Sequence, residues 1–393
     1  MRDVFTFFEP THVLFGCGVL NDLHKQEMPG KKALLVTSGG KSVIRNGYLA
    51  RTQKELEKAG VSYILFNKVE ANPVKSTVEE GARLARKENC DFVAALGGGS
   101  VLDAAKIMAM FAPQPSNDLW DYAGGLTGKN KTPENTPLPW IAIPTTAGTG
   151  SEADANGVVT NPVTNEKIGL GRMDSLFAKI AIVDPELTAS VPPKFTAYQG
   201  FDALFHSLEC HLSVNACAFS DMVTRTAIEN VGKYLARAVK DGNDMEAREG
   251  MSFASMLGGY AMITSSCIGE HALEHAMSAY YPALPHGAGL IMISQAYYRH
   301  FVDLHCADET FVDMARYLGK QDASKPEDFL DALASLQKAC GVDNLKMSDY
   351  GIRREDAAKM ADNAIATTQR LLKFDPVPLT RDECIKIYED SWK

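Results

Sequence analysis

A chain of 393 residues exceeds what one hydrophobic core usually organises, so two domains are expected. Hydrophobic residues make up 45% and charged residues 23%, with 31 Gly and 18 Pro, which excludes disordered, collagen-like and coiled-coil classes. The formal charge of -9, from 49 acidic against 40 basic residues with no long basic block, argues against nucleic acid or an anionic membrane surface and leaves a small molecule as the expected partner.

The opening MRDVFTFFEP has no basic region, apolar core and small-residue cleavage site in sequence, and no run of about eighteen apolar residues follows anywhere, so a cytoplasmic location is expected. Within it, VFTFF (4–8) reads as an apolar opening strand that pairs either across a dimer interface or within its own sheet. KALLVT (32–37), VSYILF (61–66), DFVAAL (91–96), PWIAIP (139–144) and KIAIVD (179–184) read as further strands, each a short apolar or β-branched run bounded by turn formers. Residues 46–60 and 75–90 have helical spacing with charged outer faces. This alternation predicts a parallel sheet covered by helices on both faces. Residues 113–139, rich in Pro, Gly and Asn, read as a surface excursion.

Pro192 and Pro193 mark a linker, after which nearly every long segment has helical periodicity: 195–213, 216–240, 244–265, 268–279, 287–303, 308–318, 326–340, 353–372 and 380–392. The expected class is therefore α/β plus all-α, with residues 1–190 as a Rossmann-like domain and 191–393 as a helical one. Eight scattered cysteines without CxxC pairs, Cys90 and Cys267 among apolar neighbours, read as reduced thiols without assigned chemistry.

Three glycine-bearing turns follow strands. LGGGSVLDAAK (96–106) opens a helix: its glycines admit a ligand close to the backbone, Ser100 is a candidate cap, and free amides with the helix dipole favour a phosphate. Asp103, in the first turn, is placed to meet the polar part of that ligand. TSGGKS (37–42) and PTTAGTGSE (144–152) are the other two, the last with hydroxyls at Thr145, Thr146, Thr149 and Ser151. Ligands of parallel sheets bind beyond the carboxyl ends of strands, and three such loops suit a dinucleotide better than a lone phosphate. No acid stands among Ser38, Gly39, Gly40, Lys41 and Ser42, where NAD-preferring proteins place a carboxylate against the ribose hydroxyls, so NADP(H) is favoured over NAD(H).

GEHALEHAMSAYYPALPHG concentrates His271, His275 and His286, and GFDALFHSLE places Asp202 and His206 four residues apart on one face of a predicted helix. A carboxylate with three or four imidazoles suits Fe(II), Zn(II) or a similar divalent ion. Burying Asp202, His206, His271 and His286 on apolar segments without an ion leaves polar groups unpaired at a few kcal/mol each. His12, His24, His211, His300 and His305 are read as ordinary histidines. Phe201, Phe205, Tyr280 and Tyr281 suit either an aliphatic substrate or core packing.

GGGSVLDAAK, TTAGTGSE, GFDALFHSLE and the HxxxH followed by PHG, together with the opening FFEPTHVLFGCG, resemble the iron-containing (group III) alcohol dehydrogenase family, nearest its NADPH-linked butanol dehydrogenase and aldehyde reductase-like branch. The resemblance implies a dehydroquinate synthase-like architecture, with an N-terminal dinucleotide-binding domain and a C-terminal metal-binding domain. It implies Fe(II), or Zn(II) or another divalent ion, on Asp202, His206, His271 and His286, with His275 as a non-ligand histidine near the nicotinamide. It implies cofactor contacts from Ser38, Gly39, Gly40, Ser42, Gly97, Gly98, Gly99, Ser100, Asp103, Thr145, Thr146, Thr149 and Lys167, and a homodimer. Hydride transfer between NADP(H) and a small primary alcohol or aldehyde is the expected reaction. An NAD-linked polyol dehydrogenase of the propanediol, lactaldehyde or glycerol type and a dehydroquinate synthase-like lyase are the competing readings.

Overall fold

Runs of consecutive apolar residues can be strands only where both faces of a sheet are covered, and that is what the first half of the chain builds. The computed structural model describes residues 4–392. Its strands are β1 (His12–Phe15), β2 (Lys32–Ser38), β3 (Ser62–Val69), β4 (Phe92–Gly97), β5 (Trp140–Pro144), β6 (Asn156–Asn161), β7 (Glu166–Gly171) and β8 (Ile180–Val183). Six of them form one sheet in the order β1-β8-β5-β4-β2-β3. Every pairing in it is parallel, with Ala33 opposite Phe92 and Val93 opposite Trp140. Helices α1 (Ser42–Arg45), α2 (Tyr48–Lys58), α3 (Lys75–Lys87) and α4 (Gly99–Phe111) follow the strands. The strand order reverses between β2 and β4, so the turns after these two neighbours flank a topological switch point.

Two expectations are corrected here, and one element that was not anticipated is added. VFTFF is not a strand: residues 4–11 have no regular structure, and the edge strand is HVLF, with His12 opposite Ile180. Among the described residues no strand of this chain pairs with VFTFF, and its rings dock on other aromatics, Phe7 on Phe219 and Phe8 on Phe177. An antiparallel hairpin, β6 with β7, occupies residues 156–171, where polar and glycine positions in NGVVTN and EKIGLG obscured the strand pattern. The 113–139 excursion is anchored inside: Leu119, Trp120 and Tyr122 are buried, and the Trp120 indole donates to Glu166 at 3.1 Å.

Pro192 and Pro193 begin a helix rather than a linker, as N-cap and first-turn residue of α5 (Pro193–Leu212), where a missing N–H costs nothing. The helices that follow are α6 (Ala218–Lys240), α7 (Met245–Thr264), α8 (Gly269–Tyr280), α9 (His286–Asp303), α10 (Asp308–Tyr317), α11 (Glu327–Ala339), α12 (Ala357–Leu372) and α13 (Arg381–Asp390). Helix α5 is buried on nearly all sides from Thr196 onward, as the apolar composition of TAYQGFDALF requires, and packs on α6, α7 and α9. Helix α8 packs on α9 and α12.

The chain divides into two compact units, and the divide departs from a single boundary. One unit comprises Phe8–Thr146 and Ser151–Ser190; the other takes the described residues before Phe8, Ala147–Gly150, and the chain from Val191 on. No helix among the described residues is long and apolar enough to cross a membrane.

Within the sheet unit, Lys106 is fully buried, and its ammonium donates to Ser151 Oγ at 3.1 Å, to the Asn156 carbonyl at 2.7 Å and to Asp154. Beside it, burial, with the charge of Asp154 adding to it, pushes the Glu152 carboxyl up to about 7 from 4.5. The folded state therefore binds more protons than the unfolded chain between these two values, and this contribution to stability is lost as pH rises through that window. Glu152→Gln should flatten the pH dependence, gaining on the order of 3 kcal/mol at most over wild type at pH about 8 and little at pH about 4. Thermal unfolding of both proteins across that range checks this; parallel profiles contradict it.

Candidate active site

Asp202 and His206 sit one turn apart on α5, His271 and His275 one turn apart on α8, and His286 opens α9. Three helices thus present their polar residues to one place inside the helical unit. Close approach is enforced at Gly287, where an added Cβ would lie 2.1 Å from the Tyr198 carbonyl oxygen of α5; this contact sets His286 against Asp202. The imidazoles of His206 and His271 have ring centroids 4.4 Å apart, those of His271 and His286 5.3 Å, and those of His275 and His286 5.6 Å.

Asp202 Oδ1 is the centre of the arrangement. It lies 3.5 Å from His206 Nδ1, 3.6 Å from His271 Nε2 and 3.4 Å from His286 Nε2. None of the three contacts is a hydrogen bond, and Asp202 Oδ1, His206 Nδ1 and His271 Nε2 are buried without a hydrogen-bond partner. Native proteins rarely strand several such atoms together. With bonds of ~2.1 Å, two donors in a tetrahedral shell stand roughly 3.4 Å apart, so the observed spacing is that of ligands around a common ion and too long for mutual hydrogen bonding. The residues fit a divalent cation. Two donor triads, Asp202–His271–His286 and His206–Cys267–His271, each fall within 4.8 Å and share His271; Glu274, His275 and His286 form a third.

The electrostatics agree. Burial alone would raise the Asp202 carboxyl, but His206, His271 and His286 outweigh it and hold it well below the usual carboxylate range. Burial opposes charge on His271, yet Cys267, Glu209 and Asp202 hold its imidazole well above its ordinary value.

Two residues absent from the sequence reading complete the centre. Glu209 accepts a hydrogen bond from His271 Nδ1 and another from the Ile268 amide; Glu274 accepts one from His286 Nδ1. Both carboxylates are fully buried. With Nδ1 donating outward, Nε2 of each ring is left as an acceptor aimed at the Asp202 side, the usual carboxylate–histidine support of a metal site. The available signal was spacing: Glu209 follows His206 by three residues and Glu274 follows His271 by three, on helices otherwise apolar at those turns. Cys267 also departs from the core-thiol reading, being half-buried and beside His206 and His271. Phe201 and Phe205 are wholly buried and pack on each other, Phe205 also on Tyr298, so they belong to the core; Tyr281 binds Asp356, and Tyr280 lies under Lys359. Of the other histidines, His24 pairs with Glu55, His211 with Thr224 and His305 with Asp308.

In the sheet unit, the turns after β2, β4 and β5 emerge at the carboxyl ends of three adjacent strands. Gly39, Gly40 and Ser42 are exposed and Ser38 half-buried, with the Gly39 amide bonded to the Val69 carbonyl at 2.9 Å. The next turn is tight: a Cβ on Gly97 would meet Val101 at 2.5 Å, and one on Gly98 would meet Thr146 at 3.0 Å, so side chains here would fill the space before α4. Gly98 is the N-cap of α4, without a side-chain cap; Ser100 lies inside the first turn and does not cap, contrary to expectation. First-turn amides at this end lack intrahelical acceptors and suit an anion. Asp103 is engaged within the unit, accepting from Ser151 Oγ at 2.6 Å and from the Val158 amide at 3.0 Å; Ser151 therefore faces inward. Thr145 is buried, Thr146 and Thr149 are half-buried, and Lys167 is buried on β7, opposite Thr160. Thr149 belongs to the short stretch that packs with the helical unit.

A parallel-sheet unit with glycine turns at its carboxyl edge and a helical unit with a carboxylate–imidazole centre define a metal-dependent nicotinamide oxidoreductase. Residues 10–185 match the family described as iron-containing alcohol dehydrogenase, and residues 196–392 match the C-terminal part of the Fe-containing alcohol dehydrogenase family. The chain belongs to the iron-containing alcohol dehydrogenase family, whose members use a divalent metal and NAD(H) or NADP(H). It is 35% identical to a choline dehydrogenase of Bacillus subtilis (strain 168), over 92% of this chain and 82% of that one. It is 31% identical to an NADPH-dependent butanol dehydrogenase of Clostridium saccharobutylicum, over 98% of this chain and 97% of that one. The crystal structure of an archaeal halo-thermophilic alcohol dehydrogenase from a Red Sea brine pool, ADH/D1, superposes with a TM-score of 0.94 at 32% identity, covering all of both chains.

Removing the centre's charge or its support should be separable. Asp202→Asn should abolish stoichiometric Fe(II) or Zn(II) binding, while Glu209→Gln should keep the site and weaken it about 10- to 100-fold. Metal titration followed by calorimetry, with circular dichroism as the folding control, measures both; wild-type affinity in Asp202→Asn contradicts the assignment.

Proposed function

We propose that this protein catalyses reversible hydride transfer between NADP(H) and a small primary alcohol or its aldehyde, of the butanol and butyraldehyde kind. The reading rests chiefly on one observation, the three imidazole nitrogens at 3.4–3.6 Å around Asp202 Oδ1. Asp202, His206, His271 and His286 would hold Fe(II), or Zn(II) or another divalent ion. When bound, such an ion supplies a Lewis acid that polarises a substrate oxygen. Glu209 and Glu274 fix the ring orientation of His271 and His286 by accepting their Nδ1 protons.

The roles divide along the chain: residues 1–190 carry the dinucleotide and 191–393 the metal. Gly97, Gly98, Gly99 and Ser100 would offer backbone amides to the pyrophosphate, and Thr145, Thr146, Thr149 and Lys167 polar contacts to the rest of the cofactor. Asp103 holds this apparatus together through Ser151 and Val158. Ser38, Gly39, Gly40 and Ser42 present hydroxyls and backbone without a carboxylate, which supports NADP(H). The position of His275 within 4.8 Å of His286 and Glu274 supports a role in holding a proton on its imidazole during turnover. Two of the relatives described above are named for small alcohols, choline and butanol, which supports a dehydrogenase rather than a lyase.

The test is metal analysis of protein purified without oxygen, followed by absorbance at 340 nm with NADPH or NADH over a series of straight-chain aldehydes. NADPH should be consumed faster than NADH. Gly39→Asp is sterically tolerated, since a Cβ there meets only ordinary contacts from 3.6 Å outward. It should lower the NADPH-to-NADH ratio of kcat/KM by about tenfold or more, equivalent to at least ~1.4 kcal/mol of charge repulsion. His275→Ala should slow turnover and alter its pH profile at unchanged metal content. An unaltered cofactor ratio in Gly39→Asp contradicts the placement of the 2'-phosphate, and an unaltered pH profile removes His275 from proton transfer.

A further inference from the structure

We propose that Cys267 is an additional metal donor, so that Zn(II) or Co(II) is held in part by its thiolate together with the imidazoles of His206 and His271. The inference rests on the metal-centre reading above and concerns a residue outside that donor set. Cys267 lies in the short connection between α7 and α8, four residues before His271, and donor atoms of His206, Cys267 and His271 all fall within 4.8 Å of one another. His206 and His271 are 7% and 3% exposed, and neither His206 Nδ1 nor His271 Nε2 makes a hydrogen bond. The proximity of these two buried histidines is what separates Cys267 from the other cysteines. Cys17 and Cys306 are exposed, and none of the seven others belongs to a possible metal-binding group among the described residues.

The donor chemistry divides the centre. Asp202, His271 and His286 form a set of oxygen and nitrogen donors that suits Fe(II), whereas His206, Cys267 and His271 form a softer set that suits Zn(II) and Co(II). His271 belongs to both. Donors in a tetrahedral shell with bonds of ~2.1–2.3 Å stand roughly 3.4–3.8 Å apart, so a group within 4.8 Å closes on an ion with side-chain shifts of about an ångström or less. Coordination replaces the S–H bond with a sulfur–metal bond, and the proton leaves to solvent. The partly open position of Cys267 gives that proton a way out. A further consequence is selectivity: the thiolate raises the affinity of this site for Zn(II) relative to Fe(II).

The experiment loads the full-length protein with Co(II) and records its near-ultraviolet absorption. Wild type should show a thiolate-to-cobalt charge-transfer band, and Cys267→Ser should lose it while retaining cobalt on the remaining donors. The ratio of Zn(II) to Fe(II) affinity should fall about tenfold in that variant. A measurement on the unsubstituted protein covers the case in which Cys267→Ser does not fold: iodoacetamide labelling at the Cys267 peptide, read by mass spectrometry, should be suppressed by Zn(II). Equal labelling with and without Zn(II), or a cobalt spectrum without the band, overturns the role of Cys267 and leaves the metal centre standing. Wild-type protein that takes up no cobalt overturns the metal-centre reading itself.

Discussion

The arrangement depends on a carboxylate buried where apolar packing would otherwise be complete. Asp202 is 4% exposed on a helix enclosed by three others, and an isolated charge in such a place would protonate or unfold its surroundings. It remains ionised because three imidazoles from α5, α8 and α9 surround one oxygen. Those rings are in turn fixed from behind by Glu209 and Glu274, two more buried acids. The helical unit is thus organised around charge that the protein alone leaves incompletely paired, and a divalent cation completes it.

The sheet unit solves a different problem with equally little freedom. Parallel strands place their following turns along one edge, and the reversal of strand order between β2 and β4 keeps helices from covering that edge. Glycine is required where a side chain would close the space, as the overlap of a Gly97 Cβ with Val101 shows. The polar cluster of Lys106, Asp103, Ser151 and Asp154 lies beneath the loops and ties α4 to the segment before β6. Asp103 and Ser151 thereby engage the scaffold through side-chain oxygens of the kind that also contact ligands.

Much of this was legible without coordinates, and the failures have physical causes. DFVAAL and PWIAIP could be read as strands because both faces of their sheet are buried, leaving only apolar residues. The β6–β7 hairpin could not, because its residues include Gly157, Gly169 and Lys167 and its pairing is settled by packing on α4. VFTFF had the composition of a strand, but among the described residues of this chain no strand lies beside it. Asp202, His206, His271 and His286 were readable because their types are rare on apolar segments, whereas Glu209 and Glu274 pass for solvated helix residues until their burial is seen. Cys267 was hidden for the opposite reason, since a half-buried thiol is chemically silent until its neighbours are known.

The most direct measurement is anomalous diffraction from crystals of protein purified and loaded with Fe(II) under anaerobic conditions. A single iron peak bonded to Asp202 and to nitrogens of His206, His271 and His286 is the predicted result. Crystals in which these four side chains enclose no ion, or in which iron is found only elsewhere, would contradict the account.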